Sequence, residues 1–284
     1  MQHFTDAQIA EMQRNTANGG TTLVLSDFDG TQCELDDKNP DNVAIDPRCR
    51  QAMRVFSRLP LVKAGFLSGR DIPTLQMLVG VEGLIYVGYH GLGRADKFPA
   101  RLNDVTFVPE ARPFIERNRT LGQQVGQVLF TLGLSESVII EDKVVSLAIN
   151  IGGVGTKATQ KKVAADIERG LRSFAEQLGY RYTYDLTTIE FRPNVPRNKG
   201  TGLIEVVRSV GADFVLFFYD SETDLDGQKA LGWLRDQGIG GIGVVAERNN
   251  TDRELLAAAD LRVPGVPGVR DCLVDLTTKL RRRV

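Results

Sequence analysis

The stretch Leu23-Val24-Leu25-Ser26-Asp27-Phe28-Asp29-Gly30-Thr31 decides how the chain is read. Leu23 to Leu25 form a short apolar run of strand type, and two carboxylates and a glycine follow it directly. The carboxyl end of a parallel strand is where open α/β sheets bind ligands. If the chain leaves the strand in a tight turn at Gly30, Asp27 and Asp29 face one crevice. The Asp27 carboxylate and the Asp29 carbonyl then offer oxygens to a hard cation such as Mg²⁺. A carboxylate so placed suits phosphoryl transfer to a protein nucleophile, which splits one difficult step into two easier ones. Solvated acidic turns are common; placement after a strand, together with Thr31, is what favours the chemical reading.

Outward from this turn, apolar runs alternate with helical patterns, the rhythm of a parallel sheet covered by helices. A helix spans Pro47 to Leu59, a strand Val62 to Leu67, a helix Asp71 to Val79 and a strand Leu84 to Val87. The rhythm returns with a helix from Lys199 to Val210, a strand from Phe214 to Phe218, a helix from Thr223 to Arg235, a strand from Ile242 to Val245 and a helix from Thr251 to Ala258. Between them lies a different block: a helix from Glu110 to Leu132, strands Ser137 to Glu141 and Val144 to Ile151, a long helix from Lys157 to Leu178, and strands Tyr180 to Asp185 and Thr188 to Phe191. Pro99 and Pro109 punctuate its entry, Pro193 and Pro196 its exit. The expected fold is therefore α/β, a doubly wound Rossmann-like parallel-sheet core with an inserted α+β unit. Its expected division is a helical extension at 1–20, a core at 21–106 and 195–284, and the insert at 107–194. The extension carries no assigned role.

Composition narrows the partners. The 284 residues carry 35 basic and 36 acidic side chains, so a net charge of -1 supplies no field for nucleic acid or an anionic membrane. Hydrophobic residues at 42% and charged residues at 25% describe a folded globular chain. Cys33, Cys49 and Cys272 are odd in number and form no C-x-x-C pair, which fits a reducing compartment better than a disulfide framework or a thiolate zinc site. No signal segment or membrane span is recognised, so a cytoplasmic location is expected. The N-x-T sequences at Asn118 and Asn249 carry no weight in that setting. The basic run Lys279-Leu280-Arg281-Arg282-Arg283 reads as a helix C-terminus.

Three further elements reach the same sheet edge. Leu67-Ser68-Gly69-Arg70-Asp71 follows the second strand, where Ser68 can donate to a phosphate oxygen beside a helix N-terminus or simply cap that helix. Lys199 opens another helix and can neutralise charge on phosphoryl oxygens and on the Asp27 carboxylate. Asp220 follows the Phe214 to Phe218 strand in Tyr219-Asp220-Ser221-Glu222-Thr223-Asp224 and adds an acidic oxygen. Other patterns fail on context. Gly238-Ile239-Gly240-Gly241-Ile242-Gly243 precedes a strand instead of following one, so it is no dinucleotide fingerprint. With only His3 and His90, a multi-histidine zinc site or a Ser-His-Asp triad lacks material.

In order, Asp27/Asp29, Ser68, Lys199 and Asp220 resemble the four motifs of the haloacid-dehalogenase-like phosphohydrolases. From Leu23 to about Leu280 the chain is similar to the trehalose-6-phosphate phosphatase family among them, through Ser68-Gly69-Arg70, Gly88-Tyr89-His90-Gly91, Glu141-Asp142-Lys143, Ile189-Glu190-Phe191-Arg192-Pro193 and Asn198-Lys199-Gly200. The resemblance implies a haloacid-dehalogenase-type core with the insert as a substrate-specificity cap, and Mg²⁺-dependent hydrolysis of a small sugar phosphate through an aspartyl-phosphate. It makes Asp27 the nucleophile and Asp29 the general acid and base. Ser68, Gly69 and Lys199 become phosphate ligands, and Asp27, the Asp29 backbone and Asp220 hold the metal. Glu141, Lys143 and Glu190, with Arg70 and His90, become substrate-binding residues; His90 reads equally well as a packing histidine. The sequence departs from the family at Ser221, where a carboxylate is usual, at Gln32, where an apolar residue is usual, and at Asn150-Ile151-Gly152, where His and Arg are frequent. Glu222 or Asp224 is expected to compensate for Ser221. The competing readings are a phosphatase of another glycosyl or pseudo-disaccharide phosphate, a sugar phosphomutase, and an inactive sugar-phosphate-binding regulator.

Overall fold

A computed structural model describes residues 4–36, 42–185 and 187–281. In chain order its elements are α1 (Asp6–Ala17), β1 (Thr21–Ser26), α2 (Pro47–Phe56), β2 (Val62–Leu67), α3 (Ile72–Val79), β3 (Ile85–Gly88), β4 (Gly93–Ala95), β5 (Thr106–Phe107), α4 (Phe114–Thr131), β6 (Ile139–Asp142), β7 (Leu147–Asn150), α5 (Lys157–Gln177), β8 (Tyr180–Asp185), β9 (Thr188–Pro193), α6 (Lys199–Val210), β10 (Ala212–Tyr219), α7 (Leu225–Asp236), β11 (Gly240–Glu247), α8 (Arg253–Ala258), β12 (Leu261–Pro264) and α9 (Gly265–Arg281). The chain forms two compact units, one from Met1–Leu35, Val43–Thr106 and Arg197–Val284, the other from Asp36–Asn42 and Phe107–Pro196.

The first unit is built on a sheet of order β12-β11-β10-β1-β2-β3-β4-β5. The pairings from β12 through β3 are parallel, and β4 returns antiparallel to β3. The strand order runs outward from β1 in both directions, so the topological switch lies between β1 and β10, and ligands bind at the carboxyl ends of such a pair. Central parallel strands are covered on both faces, which is why they read as unbroken apolar runs. Leu23, Val24 and Leu25 are fully buried, as are Val215 through Phe218 in β10. Each such side chain contributes roughly 1.5–3 kcal/mol by leaving water. Helices fit their stripes to this sheet: α2 buries Cys49, Ala52, Met53 and Phe56 at helical spacing, capped by Asp46 ahead of Pro47. Gly65 is required in β2 because a Cβ there would run into the Ile85 backbone oxygen of β3. Gly240, Gly241 and Gly243 serve the same purpose in β11, under Phe214, Leu231 and Gln228. The glycines at 240–243 are thus a packing feature, while Gly238, with φ 86°, serves the turn before the strand.

The second unit carries an antiparallel sheet of order β6-β7-β9-β8 with α4 and α5. Its core includes Phe114, Leu121, Val125 and Leu129 from α4 and Ala164, Ile167, Leu171 and Ala175 from α5. Asn118 is buried among them, donating to Asp142 Oδ1 at 2.7 Å and accepting from the Tyr180 hydroxyl at 3.2 Å, so its N-x-T context is internal.

Several sequence expectations need correction. The strand expected from Val144 begins at Leu147, because Val144 has φ 67° and belongs to the turn in which Lys143 N donates to Ser146 O at 2.9 Å. The strand β12 and the long helix α9 were not assigned from sequence. Helix α9 reaches Arg281; Arg282 and Arg283 of the basic tail lie outside the described residues. All three cysteines are free and buried. No helix among the described residues is long and apolar enough to cross a membrane.

Candidate active site

The turn after β1 is closed by three amides, of Thr31, Gln32 and Cys33, converging on the Phe28 carbonyl at 3.3, 2.8 and 3.2 Å. Gly30 has φ 70°, and a Cβ there would collide with the Asp220 carboxylate. This turn separates the two carboxylates. Asp27 is 4% exposed, its amide donates to Phe218 O of β10 at 2.8 Å, and its Oδ2 lies 2.9 Å from Lys199 Nζ. Asp29 points elsewhere, into a two-pronged pair in which Arg70 Nε and Nη2 each donate at 2.7 Å. The Arg70 guanidinium also lies 5.7 Å from the Phe28 ring centre. Arg70, expected to bind substrate, therefore holds the acid-base candidate. Only the backbone oxygen of Asp29 remains for the metal role the resemblance implies.

Lys199 is the first residue of α6, behind an Asn198 cap whose side chain accepts from Thr201 N. It is almost fully buried and joins two carboxylates, Asp27 at 2.9 Å and Asp224 Oδ1 at 2.7 Å. Asp224 is fully buried, and its Oδ2 accepts from Ser221 N at 3.2 Å and Ser221 Oγ at 2.9 Å. Ser221 thus orients the carboxylate that takes the place sequence reasoning offered to Glu222 or Asp224; Glu222 is exposed. Asp220, 3% exposed, accepts from Thr31 Oγ1 at 3.3 Å and pairs through Oδ2 with Arg248 Nη2.

Asp27, Asp220 and Asp224 each bring one oxygen within 4.8 Å of the others. Packing three carboxylates out of water is unfavourable unless cations answer them. Burial pushes Asp27 up to about 7 against the pull of Lys199, with Asp224 and Asp29 pushing the same way as burial. Asp220 is raised well above the ordinary carboxylate range by burial, Asp27 and Asp224, opposed by Arg248 and Lys199. Burial pulls Lys199 down, but Asp224 and Asp27 outweigh it and keep the ammonium charged. Three acids against two cations is a donor set suited to a small hard cation such as Mg²⁺, with all-oxygen ligands.

Ser68 is buried at the end of β2, beside β1, and its Oγ accepts from Arg70 N at 3.2 Å. It is not the cap of α3; Asp71 is, with Thr74 N at 2.9 Å. His90 lies against Gly69, where a Cβ would meet its ring at 2.5 Å, and its amide donates to Ser68 O at 3.0 Å. The imidazole thus packs on the Ser68-Gly69-Arg70 loop. Gln32 is fully buried with neither side-chain oxygen nor nitrogen hydrogen-bonded.

The remaining three candidates lie in the second unit. Glu141 on β6 and Glu190 on β9 flank Ala148 of β7 in register, which places them on one face of the sheet with a small residue between. Lys143 Nζ reaches both, at 3.5 Å to Glu141 and 3.4 Å to Glu190, and Arg192 Nε lies 3.4 Å from Glu190. Asp224 was named from sequence, with Glu222, as the acid expected to compensate for Ser221, whereas Arg192 and Arg248 were given no role. Arg192 had a signal, its place in the Ile189-Glu190-Phe191-Arg192-Pro193 motif. Arg248 had none beyond its position after a strand.

No family model matches the chain. It is 27% identical over 246 residues to a trehalose-phosphate phosphatase of Mycobacterium avium, covering 85% of this chain and 58% of that one. The chain thus spans little more than half the length of the curated relatives it matches first. Among solved structures, the C-terminal domain of a Candida albicans trehalose-6-phosphate phosphatase aligns with TM-score 0.75 at 17% identity over 98% of both chains. The C-terminal domain of the Candida albicans trehalose synthase regulatory protein aligns with TM-score 0.71 at 10% identity, over 97% of this chain and 98% of that one. The chain resembles the trehalose-phosphate phosphatases in sequence and has a fold of haloacid-dehalogenase type.

Proposed function

We propose that the chain is a Mg²⁺-dependent phosphatase of a disaccharide phosphate, with trehalose 6-phosphate the first candidate. The observation that carries this reading is the placement of Asp27, Lys199 and the acidic trio at the carboxyl ends of β1 and β10, with Lys199 2.9 Å from the candidate nucleophile. Asp27 attacks phosphorus in line and forms an aspartyl-phosphate. Asp29 enters the cycle protonated and turned out of the Arg70 fork, gives that proton to the departing sugar oxygen and returns to the fork as the carboxylate. In the second half, the Asp29 carboxylate, again held by Arg70, takes a proton from the attacking water. Lys199 and Ser68 meet the phosphoryl oxygens, where charge accumulates. Asp27, Asp220 and Asp224 would hold Mg²⁺, which supplies electrostatic stabilisation of the transferring group. Glu141, Lys143 and Glu190 offer acceptors and a donor suited to sugar hydroxyls, and the second unit is the proposed specificity cap.

The test is phosphate release from a panel of sugar phosphates, with Mg²⁺ and with chelator. Turnover strongest on trehalose 6-phosphate supports the reading, and turnover confined to another glycosyl phosphate moves the substrate. A requirement for a bisphosphate activator indicates a mutase. Silence across the panel favours a sugar-phosphate-binding regulator, a reading that the structural likeness to a regulatory protein keeps in view.

A further inference from the structure

We propose that Arg248 is an internal competitor for the cation at Asp220, displaced when Mg²⁺ binds, so that the site loads in proportion to free Mg²⁺ instead of holding the ion tightly. The inference rests on the metal part of the proposed function. A divalent ion shared by Asp27, Asp220 and Asp224 needs an oxygen of each carboxylate, and both oxygens of Asp220 are already engaged. Oδ1 accepts from Thr31 Oγ1 at 3.3 Å, a long bond from a neutral hydroxyl that leaves a second lone pair on that oxygen. Oδ2 carries Arg248 Nη2, a full positive charge that a guanidinium cannot shed by losing a proton. The same nitrogen lies 2.9 Å from where a Cβ on Gly30 would stand, so the guanidinium reaches the turn that bears the catalytic carboxylates.

Two features make this arginine a removable group. Its side chain is 26% exposed and hangs from the loop after β11, where Arg248 N donates to Thr251 Oγ1 at 2.8 Å and Thr251 N returns to Arg248 O at 3.1 Å. Its Nε is buried without a hydrogen-bond partner, so the fork is incompletely satisfied where it sits, and leaving relieves that defect. Charge favours the exchange. With all three carboxylates ionised, as shared ligation of a divalent ion requires, Asp27, Asp220 and Asp224 against Lys199 and Arg248 leave one negative charge; adding Mg²⁺ beside Arg248 makes the cluster positive, whereas replacing Arg248 by Mg²⁺ makes it neutral. The guanidinium thus stabilises three crowded acids when no metal is bound, and whatever stabilisation it provides is subtracted from the metal's affinity.

The experiment is calorimetric titration of Mg²⁺ into the full chain, freed of metal by chelator and dialysis, without substrate, for wild type and Arg248→Gln. The expected result is binding tighter in the variant by on the order of tenfold, with a lower melting temperature before metal is added. A second measurement needs no variant: phenylglyoxal labelling of Arg248 in wild type, read by peptide mass spectrometry, rises when Mg²⁺ is added. Unchanged or weaker Mg²⁺ binding in Arg248→Gln, or unchanged labelling, overturns the inference and leaves the proposed phosphatase standing. Absence of Mg²⁺ binding in both proteins overturns the inference together with the metal part of that reading.

Discussion

Replacing the candidate nucleophile is expected to remove activity and, at pH 8, to stabilise the fold. Asp27 is 4% exposed and is pushed from 3.8 up to about 7, chiefly by burial. A folded-state pKa above the unfolded one means that the folded chain binds the proton more firmly. The Asp27 contribution to stability is therefore fully present below pH 3.8, falls as pH rises, and is lost by about pH 7. A displacement from 3.8 to about 7 corresponds to at most about 4 kcal/mol. The value of about 7 already includes the pull of Lys199, so Asn, which presents a neutral shape at every pH, recovers that penalty less the cost of seating its amide group beside the Lys199 ammonium, which leaves about 1–3 kcal/mol in favour of Asp27→Asn at pH 8. Asp220, freed of a like charge, ionises more easily in the variant and adds to the gap in the same direction. Urea unfolding in chelator at pH 5, 6, 7 and 8 reads this directly: the gap closes toward pH 5 and opens toward pH 8. A variant less stable than wild type at pH 8, or a gap independent of pH, refutes the electrostatic account; full phosphate release by the variant refutes the nucleophile.

Lys199→Met leaves Asp27 and Asp224 facing each other without their shared cation and is expected to cost about 3–5 kcal/mol, measured by urea unfolding in chelator at pH 7. Arg70→Gln removes the fork on Asp29, and kcat for phosphate release is expected to fall by roughly 10²-fold with KM little changed, because the proton-transfer group loses its orientation; a KM effect alone would return Arg70 to a substrate-binding role. Gln32→Leu removes a buried amide with no hydrogen bonds and is expected to raise stability by about 1–2 kcal/mol, read as a higher urea midpoint. Gly30→Ala combines a left-handed backbone with a collision against Asp220, and is expected to abolish both Mg²⁺ binding and turnover.

The α/β class was legible because its signals are local. The apolar runs of β1, β2 and β10 and the helical stripe of α2 are periods and contiguities that any short window contains. The geometry around Asp27 was legible in part for the same reason: strand ends of one parallel sheet share an edge, so residues following β1, β2 and β10 approach one another whatever the details. What was missed followed from the same dependence on local pattern. Helix α9 and strand β12 went unassigned, and Val144 was placed in a strand although its backbone turns left-handed to close a hairpin.

The sequence by itself determined the kind of fold, the carboxylates at the strand ends and the cation that opens α6. The approach of Lys199 to Asp27 was expected from the sequence, but tertiary structure decided the other charge pairings. Arg70 meets Asp29 across 41 residues, Lys199 meets Asp224 across 25, and Arg248 meets Asp220 across 28. Those pairings depend on sheet register and on how far each loop carries a side chain, and no local period encodes either. The physical reason lies in range: strand and helix preferences act over a few residues, whereas the partner of a buried charge is chosen by whichever opposite charge the finished packing brings within about 3–4 Å.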